Sequence, residues 1–322
     1  MRLTNNMISG NYLKRLNRSL TDLNDLNTKV TAQRKFMKVS EDPASALKAF
    51  RVRKSLSRID MYESSLSDSQ GLLDEIETSI STINDTAINA LAQVLQGTTG
   101  TSDDLARKAV SATLRSYQEM ILSAANAKFS DKYIFGGKGV EEMPFTLDAS
   151  GNLLYNGENV NTGTFQQENR YVDIGIGLSI NGSGVVSPQS ALDTAYSGIA
   201  LLGAGVDGNG LSNNLYNLIG QIADKIESGD LTDMNIYTDK LEAKSDDIRM
   251  QYVGVGEKTN YISFFADRLG RNKITATNRQ NQLESLPLDE GMIQFSEQEL
   301  IYNACLQMGT KILQPSLLDY LS

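Results

Sequence analysis

Residues 59–94 read IDMYESSLSDSQGLLDEIETSISTINDTAINALAQV, and within them Ile59, Tyr62, Leu66, Ser69, Leu73, Ile76, Ile80, Ile83, Ala87, Ala90 and Val94 follow in steps of three and four. Residues at that spacing line one side of an α-helix, and regular alternation of the two steps is the seam of a coiled coil. The stretch predicts a long helix that needs a partner along its whole length. Gly97 and Gly100 end it, and Ser102-Asp103-Asp104 offers an N-cap for a return helix. That helix carries Ala106, Val110, Thr113, Tyr117, Met120, Ala124 and Ala127 on one stripe. A short loop between two long helices implies an antiparallel hairpin.

Upstream, Leu13, Leu16, Leu20, Leu23, Asn27 and Val30 repeat the rhythm in a first helix that ends before Pro43. Asn27 either fixes register at a core position or occupies a solvated part of the seam. Downstream of Phe135 the character changes. Residues 136–210 hold 15 of the 26 glycines, too many for regular helix. Val172, Ile174, Ile176, Leu178 and Ile180 alternate as in a half-buried strand, and Asn156-Gly157, Asn181-Gly182 and Ser150-Gly151 are turn signals.

Helical spacing returns with Leu215, Leu218, Ile222 and Ile226, closed by Gly229. A long helix then carries Met234, Tyr237, Leu241, Ile248, Tyr252, Ile262, Phe265, Leu269 and Ile274. Gly254 and Gly256 inside it suggest a kink, a close helix contact or a break. A last helix after Pro287 presents Ile301, Cys305, Met308 and Ile312. The fold class is therefore mainly α: a long antiparallel helical rod or coiled coil built from both chain halves, with a small inserted antiparallel β domain. The expected boundaries are 1–40 with 284–322 as a terminal helical domain, 41–136 with 192–283 as the rod, and 137–191 as the β insert.

The chain has no His, which removes the commonest general base and metal ligand. Cys305 is the single cysteine, so no internal disulfide forms; on its stripe it reads as a small hydrophobe rather than a nucleophile. No catalytic set, metal site or cofactor is expected. No apolar run approaches a membrane span or a secretory signal. Net charge is −9, which argues against nucleic acid as a partner. The charge is uneven: residues 1–60 carry 13 Lys/Arg against 5 Asp/Glu, and the remainder 17 against 34. A basic start and an acidic end can attract within a chain or between neighbours, or can be two solvated helix faces. Gly136-Gly137-Lys138-Gly139 superficially suggests a phosphate loop, but it lacks the G-x-x-x-x-G-K-[ST] spacing and a following helix. It reads better as a tight exit turn from helix into β insert.

Met1-Arg2-Leu3-Thr4 with Met7, then Ser40-Glu41-Asp42-Pro43-Ala44-Ser45-Ala46, resembles the N-terminal region shared by bacterial flagellins and flagellar hook–filament junction proteins. Tyr133-Ile134-Phe135-Gly136-Gly137 followed by Pro144-Phe145 resembles the turn of the junction members into their variable domain. Gln298 to Gln307 and Leu313 to Leu321 are similar to their tail, with Cys305 standing where a small residue is usual.

The resemblance implies a structural subunit that joins hook to filament and is needed for filament assembly and motility. A filament flagellin, or a coiled-coil adhesin or fibre protein, is the alternative. It implies export without a cleaved signal peptide, through the flagellar type III apparatus, to the outside of the cell. The implied partners are copies of itself in a helical ring, the first hook-associated protein, flagellin and a cytoplasmic export chaperone, with no nucleic acid and no membrane insertion. The terminal helices are expected to be disordered in the monomer and to order against neighbours. The candidate assembly residues are Leu13, Leu16, Leu20, Leu23, Val30, Ile301, Cys305, Met308 and Ile312, with Leu317, Leu318, Tyr320 and Leu321 as anchors in the tail.

Overall fold

The computed structural model describes residues 5–98, 103–166 and 168–313. The helices are α1 (Asn5–Ala32), α2 (Pro43–Gly97), α3 (Asp104–Ala125), α4 (Gly198–Leu202), α5 (Leu215–Ser228), α6 (Met234–Glu284) and α7 (Leu288–Leu313). Seven short strands lie between α3 and α4: β1 (Lys128–Phe129), β2 (Lys132–Tyr133), β3 (Phe145–Leu147), β4 (Leu153–Tyr155), β5 (Glu158–Asn159), β6 (Tyr171–Val172) and β7 (Leu192–Asp193). The protein is mainly α with a small antiparallel β region inserted among long helices. It divides into two compact units, one of Met1–Ile59 with Arg271–Ser322 and one of Asp60–Gly270.

The Asp60–Gly270 unit is organised by the apolar stripe of α2 from Leu66 to Val94. Leu73, Ile76, Ile80, Ile83, Ala87, Ala90 and Val94 of α2 are fully buried, and Leu66 nearly so. α6 answers with Met234, Leu241, Ile248, Val255, Ile262 and Leu269, all buried and each seven residues from the last. A strict seven-residue repeat keeps one seam facing a partner helix. The two helices run antiparallel: Ser245 Oγ donates to Asn84 at 3.4 Å, and Tyr252 OH donates to Glu77 at 2.8 Å. Tyr252 therefore leaves the stripe on which its spacing placed it and reaches across the exposed edge.

α3 corrects a second stripe. Its buried residues are Ser111, Leu114, Gln118, Ile121 and Ala125, one position on from the predicted set, while Ala106 and Met120 are exposed. The cause is polar: Gln118 Nε2 donates to the Tyr216 carbonyl at 2.8 Å, and Ser111 Oγ to Glu227 at 3.0 Å. α5 meets this face with Leu215, Leu218, Ile219, Ile222, Ala223 and Ile226. Asp103 caps α3 by accepting from Ala106 N–H at 2.8 Å, and Gly229 ends α5 in the left-handed region. The predicted helix stop at Gly100 and the cap role of Ser102 lie outside the described residues.

The β region is held by turns rather than long ladders. Ser130-Asp131 joins β1 to β2 and Asn156-Gly157 joins β4 to β5, each with two positive φ values, the geometry of a two-residue hairpin. Asp148 Oδ1 accepts from Ser150 and Asn152 N–H groups in the β3–β4 turn. The expected continuous strand over 172–180 is not formed: the β6 ladder ends at Val172, Gly175 (φ +81) and Gly177 (φ +107) take the chain out of the extended region, and Ile180 makes only an isolated bridge to Val186. Leu178 and Ile180 are consequently exposed.

Gly136-Gly137 forms the exit turn. A Cβ at Gly136 would collide with the Gly139 carbonyl, and Glu168 accepts the Lys138 N–H at 2.5 Å. A carboxylate thus occupies the place where a phosphate loop would need an anion.

Replacing Gly136 with Ala is expected to cost about 1–3 kcal/mol, read as a lower urea midpoint. Gly254 and Gly256 behave oppositely: α6 is unbroken through both, and a Cβ at either meets nothing within 4 Å. Gly254→Ala and Gly256→Ala should each stabilise by about 0.5–1 kcal/mol in the same measurement.

Candidate assembly surface

In the unit formed by the two ends of the chain, α1 packs antiparallel against α7. The seam of α1 is Tyr12, Leu16, Ser19, Leu23, Leu26 and Val30, again in steps of four and three. That of α7 is Gly291, Phe295, Gln298, Tyr302, Cys305 and Gly309. Tyr12 seats on Gly309, where a Cβ would overlap its phenol, and its hydroxyl donates to the Cys305 carbonyl at 3.1 Å. Midway, Gln298 Nε2 donates to the Ser19 carbonyl at 3.3 Å. At the other end a Cβ on Gly291 would press Val30 at 3.1 Å. The two glycines are sockets for side chains of the opposite helix.

A clamp follows at the ends of α1 and α6. Lys35 N–H donates to the Glu284 carbonyl at 2.9 Å and Leu286 N–H to the Gln33 carbonyl at 3.0 Å, around an antiparallel bridge between Arg34 and Ser285. Arg53 then reaches from α2 with two hydrogen bonds to Glu284, at 2.7 and 2.5 Å. Such a forked pair is the strong form of a charge-assisted bond. Burial opposes ionisation of Glu284, but the Arg53 guanidinium outweighs it, and the carboxyl sits below its ordinary value. Glu41 pairs with Lys29 at 2.8 Å, and Asp42 caps α2 by accepting from Ser45 N–H at 3.0 Å. Pro43 follows at the first helical position, where its missing N–H costs nothing.

The candidate residues fall into two sets. Leu16, Leu23, Val30 and Cys305 lie in the α1–α7 seam and are half-buried. Leu13, Leu20, Ile301 and Met308 are off it and exposed, at 55, 39, 51 and 63%. The side chain of Ile312 and all of Leu317, Leu318, Tyr320 and Leu321 lie outside the described residues. The sequence reading missed Tyr12, Ser19, Leu26, Gly291 and Gly309. Following leucines alone had rotated the stripe; a strict four-three count from Val30 backwards finds the seam, including its serine and tyrosine.

The pair is thinly buried. Among residues 7–32 the one buried position is Ser19, and among residues 288–310 only Gly291 and Gly309 are buried. No group of three or more Cys, Asp or Glu among the described residues could hold a metal ion. No helix among them is long and apolar enough to cross a membrane.

Comparison with known proteins bears on this arrangement. Residues 3–139 match the model of the bacterial flagellin N-terminal helical region, a span that includes α1, α2, α3 and the Gly136-Gly137 turn. A solved protein of Vibrio parahaemolyticus, assigned as a flagellar hook-associated protein, matches at 18% identity with a TM-score of 0.61, over 76% of this chain and 100% of its own. FlgL of Bacillus cereus matches at 19% identity with a TM-score of 0.52, over 72% of this chain and 99% of its own. At these identities the shared property is the fold. A search of curated protein sequences finds no match.

The Arg53–Glu284 pair has a pH signature. Its contribution is present above the ordinary glutamate range and is lost as pH falls through the depressed value of the folded state. With the guanidinium half exposed, Glu284→Gln is expected to cost about 1 kcal/mol near neutral pH. That corresponds to roughly fivefold faster exchange of the Lys35 and Leu286 amides. The difference from wild type should vanish once the folded carboxyl is itself protonated.

Proposed function

We propose that this chain is a structural subunit of the bacterial flagellum that joins the hook to the filament, and that it is not an enzyme. The observation that carries the reading is the thin burial of α1 against α7: among residues 7–32 a single serine is buried. A helix of this length holds its shape in water through tertiary packing of its apolar side. Leu13, Leu20, Ile301 and Met308 are exposed. Neighbouring subunits supply the cover: the ends order on assembly, as a terminal helical domain of residues 1–40 and 284–322. The flagellin N-terminal match and the hook-associated fold support a flagellar setting for that assembly.

In this reading the partners are further copies in a ring, the first hook-associated protein on one side and flagellin on the other. The subunit travels unfolded through the flagellar export apparatus, aided by a chaperone, to an extracellular position. A single cysteine and no internal disulfide suit passage as an extended chain.

Deletion of the gene is expected to leave intact hooks while filament subunits are shed into the medium, visible by electron microscopy and by blotting the supernatant. Wild-type protein should restore filaments. A chain carrying Leu13→Asp with Met308→Asp, two exposed positions, should fold as judged by circular dichroism but fail to restore them. Filaments of normal length in the deletion strain would refute the junction reading.

A further inference from the structure

The basic start and the acidic end of this chain meet in one ion pair among the described residues, Arg53 with Glu284. The other charges are turned elsewhere, and their placement is regular. On α2, Ala46, Ala49, Val52 and Ile59 are buried. The opposite side of the same turns carries Leu47, Phe50, Arg51, Lys54 and Arg58, all exposed, with Leu47 at 57% and Phe50 at 66%. Arg51, Lys54 and Arg58 make no ion pair among the described residues.

α7 carries the complementary side. Off its seam with α1 stand Ile293 and Leu300 on the far side and Glu290 and Glu297 on the adjoining flank, all exposed, with Ile293 at 61% and Leu300 at 71%. Glu297 makes no ion pair among the described residues, and Glu290 accepts only a weak bond from Gln294 one turn on, at 3.3 Å.

We propose that the outward side of α2 in one copy docks on the outward side of α7 in a second copy. The proposal rests on the assembly reading above and assigns it a surface. The registers agree: Arg51 and Arg58 are seven residues apart, as are Glu290 and Glu297, a spacing of about 10 Å along each helix. Leu47 and Phe50 lie beside the cations, and Ile293 and Leu300 beside the anions, so apolar contact and charge pairing coincide. Both sides face away from the contacts that α2 and α7 make within their own unit, and their opposite charge selects a second copy as the occupant. The two patches differ, so the contact is heterologous: each copy offers one patch to each of two neighbours.

The test uses the full-length chain in two variants, one with R51E and R58E and the other with E290K and E297K. All four positions are exposed, and circular dichroism should show wild-type helix content. By sedimentation velocity at low salt, the wild type is expected to associate with rising concentration. At about 0.5 M salt, where charges are screened within a few ångströms, association should fall at least about tenfold. Each variant alone sets like charges against each other and should associate at least about tenfold more weakly than wild type. An equimolar mixture should recover wild-type association, since each variant's reversed patch meets its complement only on the other.

A wild-type chain that stays monomeric at low salt would overturn the contact. So would either variant associating as wild type does, or a mixture no stronger than its parts. If the variants fail to associate yet each restores filaments in the deletion strain, the contact is irrelevant to assembly while the junction reading stands. If the deletion strain keeps its filaments, the junction reading falls and sedimentation still decides the contact.

Discussion

A helix with one apolar side is stable only where something dry lies against that side, and this chain distributes that dryness unevenly. In the Asp60–Gly270 unit, α2 and α6 cover each other along seven-residue repeats that leave Leu73, Ile76, Ile80 and Ile83 with no exposure at all. α5 closes over α3, and the glycine-rich insert is held by short turns and by contacts such as the Tyr155 hydroxyl donating to the Phe135 carbonyl at 3.0 Å. In the unit made by the chain ends the same rhythm exists, but among the described residues α1 and α7 leave it only half-buried. The contrast is between a seam completed inside one unit and a seam left half-buried in the other.

The polar groups follow that division. In the finished part they are consumed locally: Gln118 and Ser111 satisfy backbone and side-chain partners inside the α3–α5 contact, and Glu168 fills the Gly136–Gly139 turn. In the terminal unit one forked pair, Arg53–Glu284, fixes the clamp, and the remaining cations of α2 and anions of α7 stay in water. Exposed charges add little to the stability of a single molecule. Their value lies in selecting which surfaces meet.

Much of this is legible in the sequence, for a physical reason. Long heptad runs are redundant, so the stripe from Leu66 to Val94 survives any single misreading, and proline and glycine mark the breaks. What the sequence hides is chemistry that departs from the binary pattern. The α3 stripe is displaced by one residue because Gln118 and Ser111 take core positions that polarity argues against. Alternation from Val172 to Ile180 imitates a strand that Gly175 and Gly177 forbid. Tyr12, Ser19 and the socket glycines escape a search for leucines. The glycines at 254 and 256 lie in an unbroken helix, and nothing in their surroundings explains them.

The sockets carry a mechanical consequence. Tyr12 and Val30 stand eighteen residues apart on α1, and Gly291 and Gly309 stand eighteen apart on α7. Two knobs and two holes of equal pitch form a key. Sliding one helix along the other by a heptad would drive Tyr12 onto Tyr302, where no hole exists. A load applied along the helix axes therefore meets a detent at both ends at once, and the pair holds or lets go as a whole instead of creeping.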